Sequence, residues 1–452
     1  MRSVILVACL ISALALGSCS PASDTANPTT IPISLVTPPA TETAIPTPTA
    51  VMPTPTPAPV PTVAVASGVT IDAIFSRTAA LRGLPAKQRV PLNYIDRDEL
   101  RPHLIKMFEK EHARDDLEKD KAALVLLELL DEKDDLYELW LGLLEEQVAG
   151  FFEFDSQQMT LVRNQQSLSA LDELTLSHEY VHALQDQHFG VGAKQERLKD
   201  DDDRSLALQS LGEGDATLAM VQYARQHFTL EQLTSLGDEA GNVNMDKLQS
   251  APMVLQINLL FPYEQGTNFV GEVFHSKGWA GIDGLYDRLP ESTEHILHPE
   301  KYLAGEAPQR VEMPNIAAVL GSEWMLFDSS TFGELGWMIY LLSGLDPDEA
   351  MGAAAGWDGD RYQLLRSSDG QYALAVFAVW DTLADAEELH AATRAMQKSR
   401  PGAKVISEAD LELSWEGAVG FGHFEVRSNK TLLVVAPNQD IAKKIRACFA
   451  GF

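Results

Sequence analysis

The stretch SALDELTLSHEYVHALQDQHFG (169–190) determines the local fold of the segment that carries the most informative motif of this chain, HEYVH (178–182). Ser169 followed by Asp172 is typical of a capping box at the start of a helix. The apolar residues that follow recur at helical spacing, and Gly190 is typical of the residue just after a helix end. The sequence therefore predicts a single helix that carries HEYVH in its second half.

The two histidines of the pentapeptide lie four residues apart, which places them on one face of the predicted helix. His178 and His182 can therefore direct both imidazoles at one metal ion. Glu179 lies beside them, near enough to take a proton from a metal-bound water without being a ligand. Zinc lowers the pKa of its bound water from near 16 to roughly 7, so such a carboxylate can act as a general base.

The segment AGFFEFDSQQMTLV (149–162), just before the helix, predicts a β-hairpin. Its residues alternate in polarity, and the alternation is interrupted at Asp155-Ser156-Gln157 before it resumes. A hairpin followed by a HExxH helix is the order found in zinc-dependent peptidases. In those enzymes an edge strand receives the substrate backbone in extended form.

A zinc site needs a third protein ligand, and Glu213 is one of two candidates. It lies in LGEGDAT (211–217), inside a second predicted helix over about 204–226. A glutamate on a second helix is the arrangement of gluzincins. Gly212 and Gly214 cost about 1 kcal/mol each in helix stability relative to alanine, yet they allow two helix backbones to approach closely.

The rival ligand is His188, ten residues after His178, which is the offset that metzincins use (HExxHxxGxxH). Metzincins need glycine seven residues after the first histidine to turn the chain out of the helix, and this chain has Gln185 there. In a continuous helix, His188 points away from the face of His178 and His182. Helical geometry therefore favours Glu213, and His188 remains the alternative.

Four motifs taken together resemble a poorly characterised prokaryotic family of zinc metallopeptidases of gluzincin type. These motifs are HEYVHALQDQHF, LGEGDATL, STEHILHPEKY (292–302) and GWDGDRY (356–362). The similarity runs from about residue 80 to the C-terminus. The combination is specific, whereas each motif alone is not.

The resemblance implies a zincin-like fold and a Zn²⁺ cofactor. It also implies that His178, His182 and Glu213 are the metal ligands and that Glu179 is the general base. One departure is His295, because the family pattern has glutamine there, in STEQILHP. His295 lies outside the expected metal core, so the departure concerns substrate contacts rather than the chemistry.

The N-terminus predicts an exported protein with a lipid anchor. Arg2 precedes an apolar run that ends at Leu16, and LGSC (16–19) resembles a bacterial lipobox. Residues 1–18 would then be a lipoprotein signal peptide, and Cys19 the lipidated first residue of the mature chain. The alternative is an ordinary signal peptide that contains a cysteine. The apolar run is shorter than the ~20 residues that span a bilayer.

The segment after the proposed anchor has the composition of a stalk. Residues 19–66 consist almost entirely of Pro, Thr, Ala, Ser and Val, which favours disordered, polyproline II-like chain. Of the three cysteines, Cys9 would leave with the signal peptide and Cys19 would carry lipid. Only Cys448 remains, so no intramolecular disulfide is expected in the mature chain.

The charge balance excludes some partners. The formal net charge is −30, from 65 acidic and 35 basic residues, which argues against nucleic acid and against electrostatic adhesion to an anionic membrane. The acidic runs DEKDD (131–135) and KDDDDR (199–204) are interpreted most simply as solvated faces and a helix start.

The chain as a whole predicts an α+β protein with two folded domains. Residues 67–360 are interpreted as a mostly helical, zincin-like metallopeptidase domain with a small β-hairpin or sheet. Residues 361–452 predict a small α+β domain, because their patterns run strand, helix, two strands, helix. There YALAVFAVW (372–380) is a buried strand, and Ser428-Asn429 is the turn of a hairpin.

A second group that would polarise a substrate carbonyl is not singled out by the sequence. The candidates that follow the metal helices are Tyr263, His295, His298 and Tyr302. Glu334 could orient a ligand histidine through a hydrogen bond. For each of these residues, a structural role is the simpler alternative.

Together these patterns predict a zinc metallopeptidase that hydrolyses peptide bonds outside the cytoplasm, anchored to a bacterial envelope on its periplasmic or cell-surface face. Its expected partners are a peptide or protein substrate and, through Cys19, the membrane. One alternative is a non-catalytic surface lipoprotein that binds a peptide or protein on a zincin scaffold. Glu179 argues against it, because a structural zinc site needs no general base. The other alternative is a zinc amidase acting on cell-wall amides.

Overall fold

The computed structural model describes the chain over residues 8–10, 69–111, 114–163 and 167–449. Cys19, the Pro-rich segment 19–66 and most of the expected signal peptide lie outside the described residues. The fold class is α+β, as predicted, because helices accompany two sheets. Along the described residues, no helix combines the length and the apolar character needed to cross a bilayer.

The part of the chain before residue 355 is mainly helical. In chain order its helices are α1 (Ile71–Arg82), α2 (Arg97–Glu111), α3 (Arg114–Leu126), α4 (Leu136–Gln147), α5 (Ala170–Phe189), α6 (Val191–Leu198), α7 (Asp202–His227), α8 (Leu230–Gly241), α9 (Asp246–Ser250), α10 (Met253–Asp287), α11 (Thr293–Leu297), α12 (Pro299–Ala304), α13 (Ile316–Leu320), α14 (Gly333–Leu342) and α15 (Pro347–Ala354). Helix α7 packs against both α5 and α10.

A small sheet lies against α5. It contains β1 (Ala8–Leu10), β2 (Leu92–Ile95), β3 (Val148–Glu153) and β4 (Gln158–Val162), in the spatial order β1-β3-β4-β2. Strands β3 and β4 form the antiparallel hairpin that the sequence predicts, with Gln157 at φ 56° in its turn. Strand β2 pairs in parallel with β4, and β1 pairs antiparallel with β3.

The helix that carries HEYVH begins and ends where the sequence predicts. Ser169 accepts a hydrogen bond from the backbone of Asp172, whose side chain accepts one in return, so the capping box is present. The helix ends at Gly190, which adopts the left-handed conformation at φ 64°. The second predicted helix is α7, and Asp201 caps its N-terminus. The prediction of a helix start in the second acidic run is therefore confirmed.

Helices α7 and α10 cross with their backbones in contact. A Cβ atom on Gly214 would lie 2.1 Å from the carbonyl oxygen of Gly266, and one on Gly266 would lie 2.1 Å from the carbonyl oxygen of Ser210. Gly212 differs, because its Cβ would meet only the Gln185 side chain at 3.6 Å. Of the two glycines that flank Glu213, only Gly214 is required for the close approach.

The C-terminal part contains a larger sheet. Its strands are β5 (Trp324–Asp328), β6 (Trp357–Ser367), β7 (Tyr372–Trp380), β8 (Lys404–Ala409), β9 (Glu412–Gly417), β10 (Gly420–Arg427) and β11 (Lys430–Ala436), in the antiparallel order β5-β6-β7-β11-β10-β9-β8. Helix α16 (Leu383–Ser399) packs with α14 on one face, and α17 (Gln439–Ala447) packs with α13 on the other.

Most of the predicted C-terminal elements are present in this sheet. The buried strand is β7, the hairpin joins β10 to β11 through Ser428 at φ 57°, and the last helix is α17. Sequence patterns missed β5, β6, β8 and β9. The sheet also includes β5 and the start of β6, which precede residue 361. The domain boundary at that residue stays a prediction.

Candidate metal centre

Three side chains from two helices converge on one buried point. His178 and His182 lie on α5, and their Nε2 atoms are 3.0 Å apart. Oε2 of Glu213, on α7, lies 3.1 Å from Nε2 of His178 and 3.4 Å from Nε2 of His182. All three side chains are 1% exposed. They form one of the groups of side chains among the described residues that could hold a metal ion.

The donor set and its spacing fit a zinc ion. Tetrahedral ligands at 2.0–2.2 Å from zinc are separated from each other by about 3.3 Å, close to the separations observed here. The second carboxylate oxygen of Glu213, Oε1, is buried with no hydrogen-bond partner among the described residues. Imidazole nitrogen and carboxylate oxygen are ordinary zinc ligands, so the residues present can hold this ion.

Burial and mutual charge set the protonation of this group. Burial lowers the pKa of His178, which keeps its imidazole neutral. Burial also opposes a charge on His182, but the Glu213 carboxylate outweighs it and raises the pKa of His182. Although burial favours the neutral acid, the two imidazoles hold the pKa of Glu213 below its ordinary value. Glu213 is therefore ionised, the form in which a carboxylate binds metal.

Glu179 lies next to the three candidate ligands and is not a member of their group. Its side chain is 1% exposed, and its charge contributes to the raised pKa of His182. Strand β3 passes directly over this part of α5. A Cβ atom on Gly150 would lie 2.7 Å from Cγ2 of Thr175 and 3.5 Å from Cγ of Glu179. The glycine in β3 thus lets the strand lie against the helix beside Glu179.

A chain of buried polar groups extends behind His182. Its Nδ1 lies 2.9 Å from Oε1 of Gln185, and Nε2 of Gln185 donates to the Gly212 carbonyl at 2.9 Å and to Oδ2 of Asp215 at 3.1 Å. Asp215 accepts two hydrogen bonds from Arg82, at 2.6 and 3.1 Å. These hydrogen bonds therefore link His182, a candidate ligand, to α1 through the same LGEGDAT segment that contains Glu213.

The alternative third ligand lies elsewhere. Nε2 of His188 is 2.7 Å from the carbonyl oxygen of Pro85, and His188 does not belong to the metal-binding group. Helix α5 continues without a bend to Phe189, so His188 stays on a different face, as helical geometry predicts.

Of the candidates for polarising a carbonyl, the structure brings Tyr263 to the centre. Its ring stacks on that of His178, with 6.3 Å between the centroids and 25° between the ring planes. His295 hydrogen-bonds to the backbone of residues 291 and 306, and the Tyr302 hydroxyl donates to the carbonyl of Arg288. His298 pairs with Glu334 at 2.8 Å. The suggestion that Glu334 orients a ligand histidine is therefore wrong, because its partner is His298.

The motifs STEHILHP and GWDGDRY lie together at a second buried polar cluster. We term this cluster the junction and define it by Asp203, Thr293 and Asp360. Asp203, at the start of α7, accepts hydrogen bonds from the backbone and hydroxyl of Thr293 at 3.1 and 2.5 Å. Asp360, in β6, accepts from the backbone of Phe332 and Gly333. Asp203 is buried, so the second acidic run is not wholly a solvated face.

A third cluster of acidic side chains already contains a cation. Glu294, Glu306 and Asp381 are grouped closely enough to hold a metal ion. The ammonium of Lys301 lies among them, 2.6 Å from Glu294, 2.7 Å from Asp381 and 3.3 Å from Glu306. The lysine thus occupies the position that an ion would need.

Sequence reasoning missed the residues behind His182. Asp215 is part of the quoted LGEGDAT segment, and an acidic residue two positions after a candidate ligand on a helix was a signal for it. Arg82 gives no comparable signal, since it lies 133 residues before its partner Asp215. Gln185 appeared only as a departure from the metzincin pattern.

The C-terminal part of the chain matches a known family profile. Residues 325–446 match a profile described as a domain of unknown function (DUF8575). The match covers most of the larger sheet, and all of the metal-centre residues lie outside it. No curated protein and no solved structure matches the chain.

Proposed function

We propose that the protein is a zinc-dependent metallopeptidase that hydrolyses peptide bonds outside the cytoplasm. The observation that carries the proposal is the convergence of His178, His182 and Glu213 within 3.0–3.4 Å of one another, with Glu179 buried beside them. The three residues would hold zinc. The ion would supply an acidified water and polarisation of the scissile carbonyl.

Glu179 handles the protons in this proposal. Its carboxylate accepts a proton from the attacking water and then donates it to the nitrogen of the leaving amine. Burial of the group limits competition from bulk water and strengthens the charge interactions within the site. Glu179 can fill this role because the ligand set leaves it out.

The outer edge of β3 supports a peptide as substrate. In the described residues this edge pairs with β1, in the register Ala8 with Phe151, Cys9 with Gly150 and Leu10 with Val148. Removal of the expected signal peptide would free the edge. An extended peptide added there would lie over Gly150 and beside Glu179, with its backbone bound by strand addition.

The number of ligands favours catalysis over a purely structural role for the ion. Structural zinc sites are usually closed by four protein ligands, whereas catalytic sites keep one position for water or substrate. The group around His178 contains three ligands among the described residues. This favours the peptidase over the non-catalytic surface lipoprotein.

The proposal includes where the protein is located in the cell. Lipidation of Cys19 would hold the catalytic part outside the cytoplasm on the 19–66 stalk. Mass spectrometry of membrane-extracted protein should find a mature chain that begins with a modified Cys19. An intact N-terminus with an unmodified Cys19 would contradict the anchor and leave the metal chemistry untouched.

The function is tested by comparing wild type with Glu179→Gln. The amide is nearly isosteric with the acid, so the variant should fold and bind one zinc ion per chain. Removing a general base typically costs 10²–10⁴-fold in rate. We expect wild type to cleave casein or an unstructured peptide, a chelator to abolish cleavage, and Glu179→Gln to be inactive with zinc bound.

Metal content and turnover separate the outcomes. Wild type that binds no zinc after loading would contradict the metal site itself. Zinc-loaded wild type with no turnover across broad peptide and amide libraries, matched by Glu179→Gln, would favour the non-catalytic lipoprotein. Turnover confined to cell-wall amides would favour the amidase.

A further inference from the structure

Gln185 lies one turn after His182 on α5 and is fully buried. Its amide meets three groups: Nδ1 of His182, the Gly212 carbonyl and the Asp215 carboxylate. A buried amide has two N–H donors and one oxygen acceptor, so the character of its partners decides which way it faces.

The partners allow only one orientation of this amide. The Gly212 carbonyl is purely an acceptor, and the Asp215 carboxylate is an acceptor when ionised. Both N–H groups of Gln185 must therefore point at these two oxygens, at 2.9 and 3.1 Å. The amide oxygen is left facing Nδ1 of His182 at 2.9 Å. Since that oxygen can only accept, Nδ1 must be the donor.

We propose that Gln185 is a positioning residue that fixes the metal-binding tautomer of His182. With the proton held on Nδ1, the lone pair of the neutral imidazole lies on Nε2. That atom is the one directed at Glu213 and His178. The proposal rests on the proposed metal site and names the device that prepares one of its ligands.

Asp215 is itself held from several sides, which makes the device rigid. Its carboxylate accepts two bonds from Arg82 and one from the hydroxyl of Tyr286, at 2.9 Å. Arg82 is fully buried, lies over the ring of Trp279, and pairs with Asp283 at 2.8 Å. Helices α1, α7 and α10 therefore all help to fix the position of Gln185.

His178 and His182 differ in whether their Nδ1 atoms have a hydrogen-bond partner. Nδ1 of His178 is buried and has no hydrogen-bond partner among the described residues. His182 is thus the ligand whose orientation is set by hydrogen bonding. Gln185 stands where metzincins have a glycine. In this chain the helix continues past that position, and the side chain there orients His182.

The test compares Gln185→Met with Gln187→Met. Methionine has a similar length but gives His182 no strong acceptor, so zinc affinity should fall 10–100-fold, the usual effect of losing such a partner. Gln187, on the same helix, hydrogen-bonds instead to the backbone of residues 87 and 88. Its variant loses similar bonds away from the site and should keep wild-type affinity.

Zinc affinity is measured on folded protein by competition with a chromophoric chelator. The visible spectrum of the cobalt-substituted protein serves as a second readout. Gln185→Glu retains an acceptor for His182, so it should bind zinc more tightly than Gln185→Met. Its stability should nevertheless be lower than that of wild type, because its negative charge faces Asp215. Folded Gln185→Met with wild-type zinc affinity and cobalt spectrum would overturn the proposal.

A measurement on wild type keeps the proposal testable when a variant fails to fold. Nitrogen-15 NMR of the zinc-loaded protein should show His182 bound through Nε2 with its proton on Nδ1. Binding through Nδ1, or an Nδ1 without a proton, would overturn the role of Gln185. A wild type that takes up no zinc contradicts the metal site instead, so the two failures are distinguishable.

Discussion

The candidate metal centre and the junction both contain buried carboxylates, yet the groups that surround these carboxylates differ. At the junction, Asp360 accepts four N–H donors, from the backbone of Phe332 and Gly333 and from the indoles of Trp337 and Trp357. At the metal centre, the carboxylate of Glu213 faces two imidazole nitrogens that also face each other. A buried carboxylate that is surrounded by N–H donors needs no further partner, whereas one that lies beside two imidazole nitrogens can share a metal ion with them.

The Lys301 cluster is intermediate between these two cases. Its three carboxylates converge as metal ligands do, but the protein provides the cation from its own side chain. Grouping of acidic residues therefore does not separate a metal site from a structural cluster. The two kinds of site are distinguished instead by the groups that surround the carboxylates, which are an ammonium at Lys301, N–H donors at the junction and imidazoles at the candidate metal centre.

The largest expected effect follows from removing the third ligand. Glu213→Ala leaves two histidines and no anionic ligand, so bound zinc should fall toward zero and turnover should be lost. Metal analysis of purified, zinc-loaded protein measures this directly. His188→Ala is the control and should keep wild-type stoichiometry, because His188 bonds to Pro85 instead. The reverse result would identify His188 as the ligand.

Breaking the junction should affect stability and leave metal binding alone. Asp360→Ala removes the acceptor of four N–H donors, three of them in buried hydrogen bonds. Each buried donor costs about 1–3 kcal/mol when unsatisfied, so the free energy of unfolding should fall by several kcal/mol. Denaturant titration gives this loss. The exposed Asp410→Ala should stay within about 0.5 kcal/mol of wild type.

The zinc stoichiometry of the folded Asp360→Ala protein then tests whether the junction is independent of the candidate metal centre. An unchanged value is expected, because the junction residues make none of the ligand contacts. Loss of zinc from a fully folded variant would show that the two clusters are coupled.

A smaller loss should come from the helix crossing beside Glu213. Gly214→Ala places a Cβ atom 2.1 Å from the Gly266 carbonyl oxygen, so α7 and α10 must separate, at about 1–3 kcal/mol. Gly212→Ala is the matched control. It meets only ordinary contact at 3.6 Å and should gain up to about 1 kcal/mol from helix propensity. Equal thermal stability of the two variants would contradict the crossing.

The last effect is confined to a window of pH and concerns the Lys301 cluster. Burial raises the pKa of Glu294 from 4.5 to about 7, although Lys301 opposes this. Glu294 thus contributes stability that is fully present below about pH 4.5 and is lost as pH rises through 7. Glu294→Gln should flatten the pH dependence of the free energy of unfolding in this window, because the amide does not titrate. The exposed Glu312→Gln should not, and an unchanged slope in Glu294→Gln would refute the assignment.

The elements around the metal centre could be predicted because their signals are local. The capping box at Ser169, the glycine after Phe189 and the four-residue spacing of His178 and His182 all lie within one helix. Glu213 required one further step, since it depends on α7 packing against α5. A motif on a second helix was enough to nominate it.

What the sequence could not predict depends on contacts between distant segments. The pairing of Asp215 with Arg82 joins helices 133 residues apart, and nothing local marks it. Glu334 pairs with His298 because α14 packs near α11, which no pattern within α14 reveals. Strand β8 was missed for another reason: it lies at the edge of its sheet and is mostly exposed, so its residues lack a buried face to alternate with.

The three candidate ligand atoms come together only in the folded chain. His178 and His182 share a face only while α5 is helical, and Glu213 is 35 residues from His178. An ion bound at this point therefore has little affinity for the unfolded chain and stabilises the native one by mass action. At a free concentration 1,000 times the dissociation constant, the gain is about 4 kcal/mol. The local supply of the ion would then govern how long each molecule resists unfolding and proteolysis, apart from whether it can turn over a substrate.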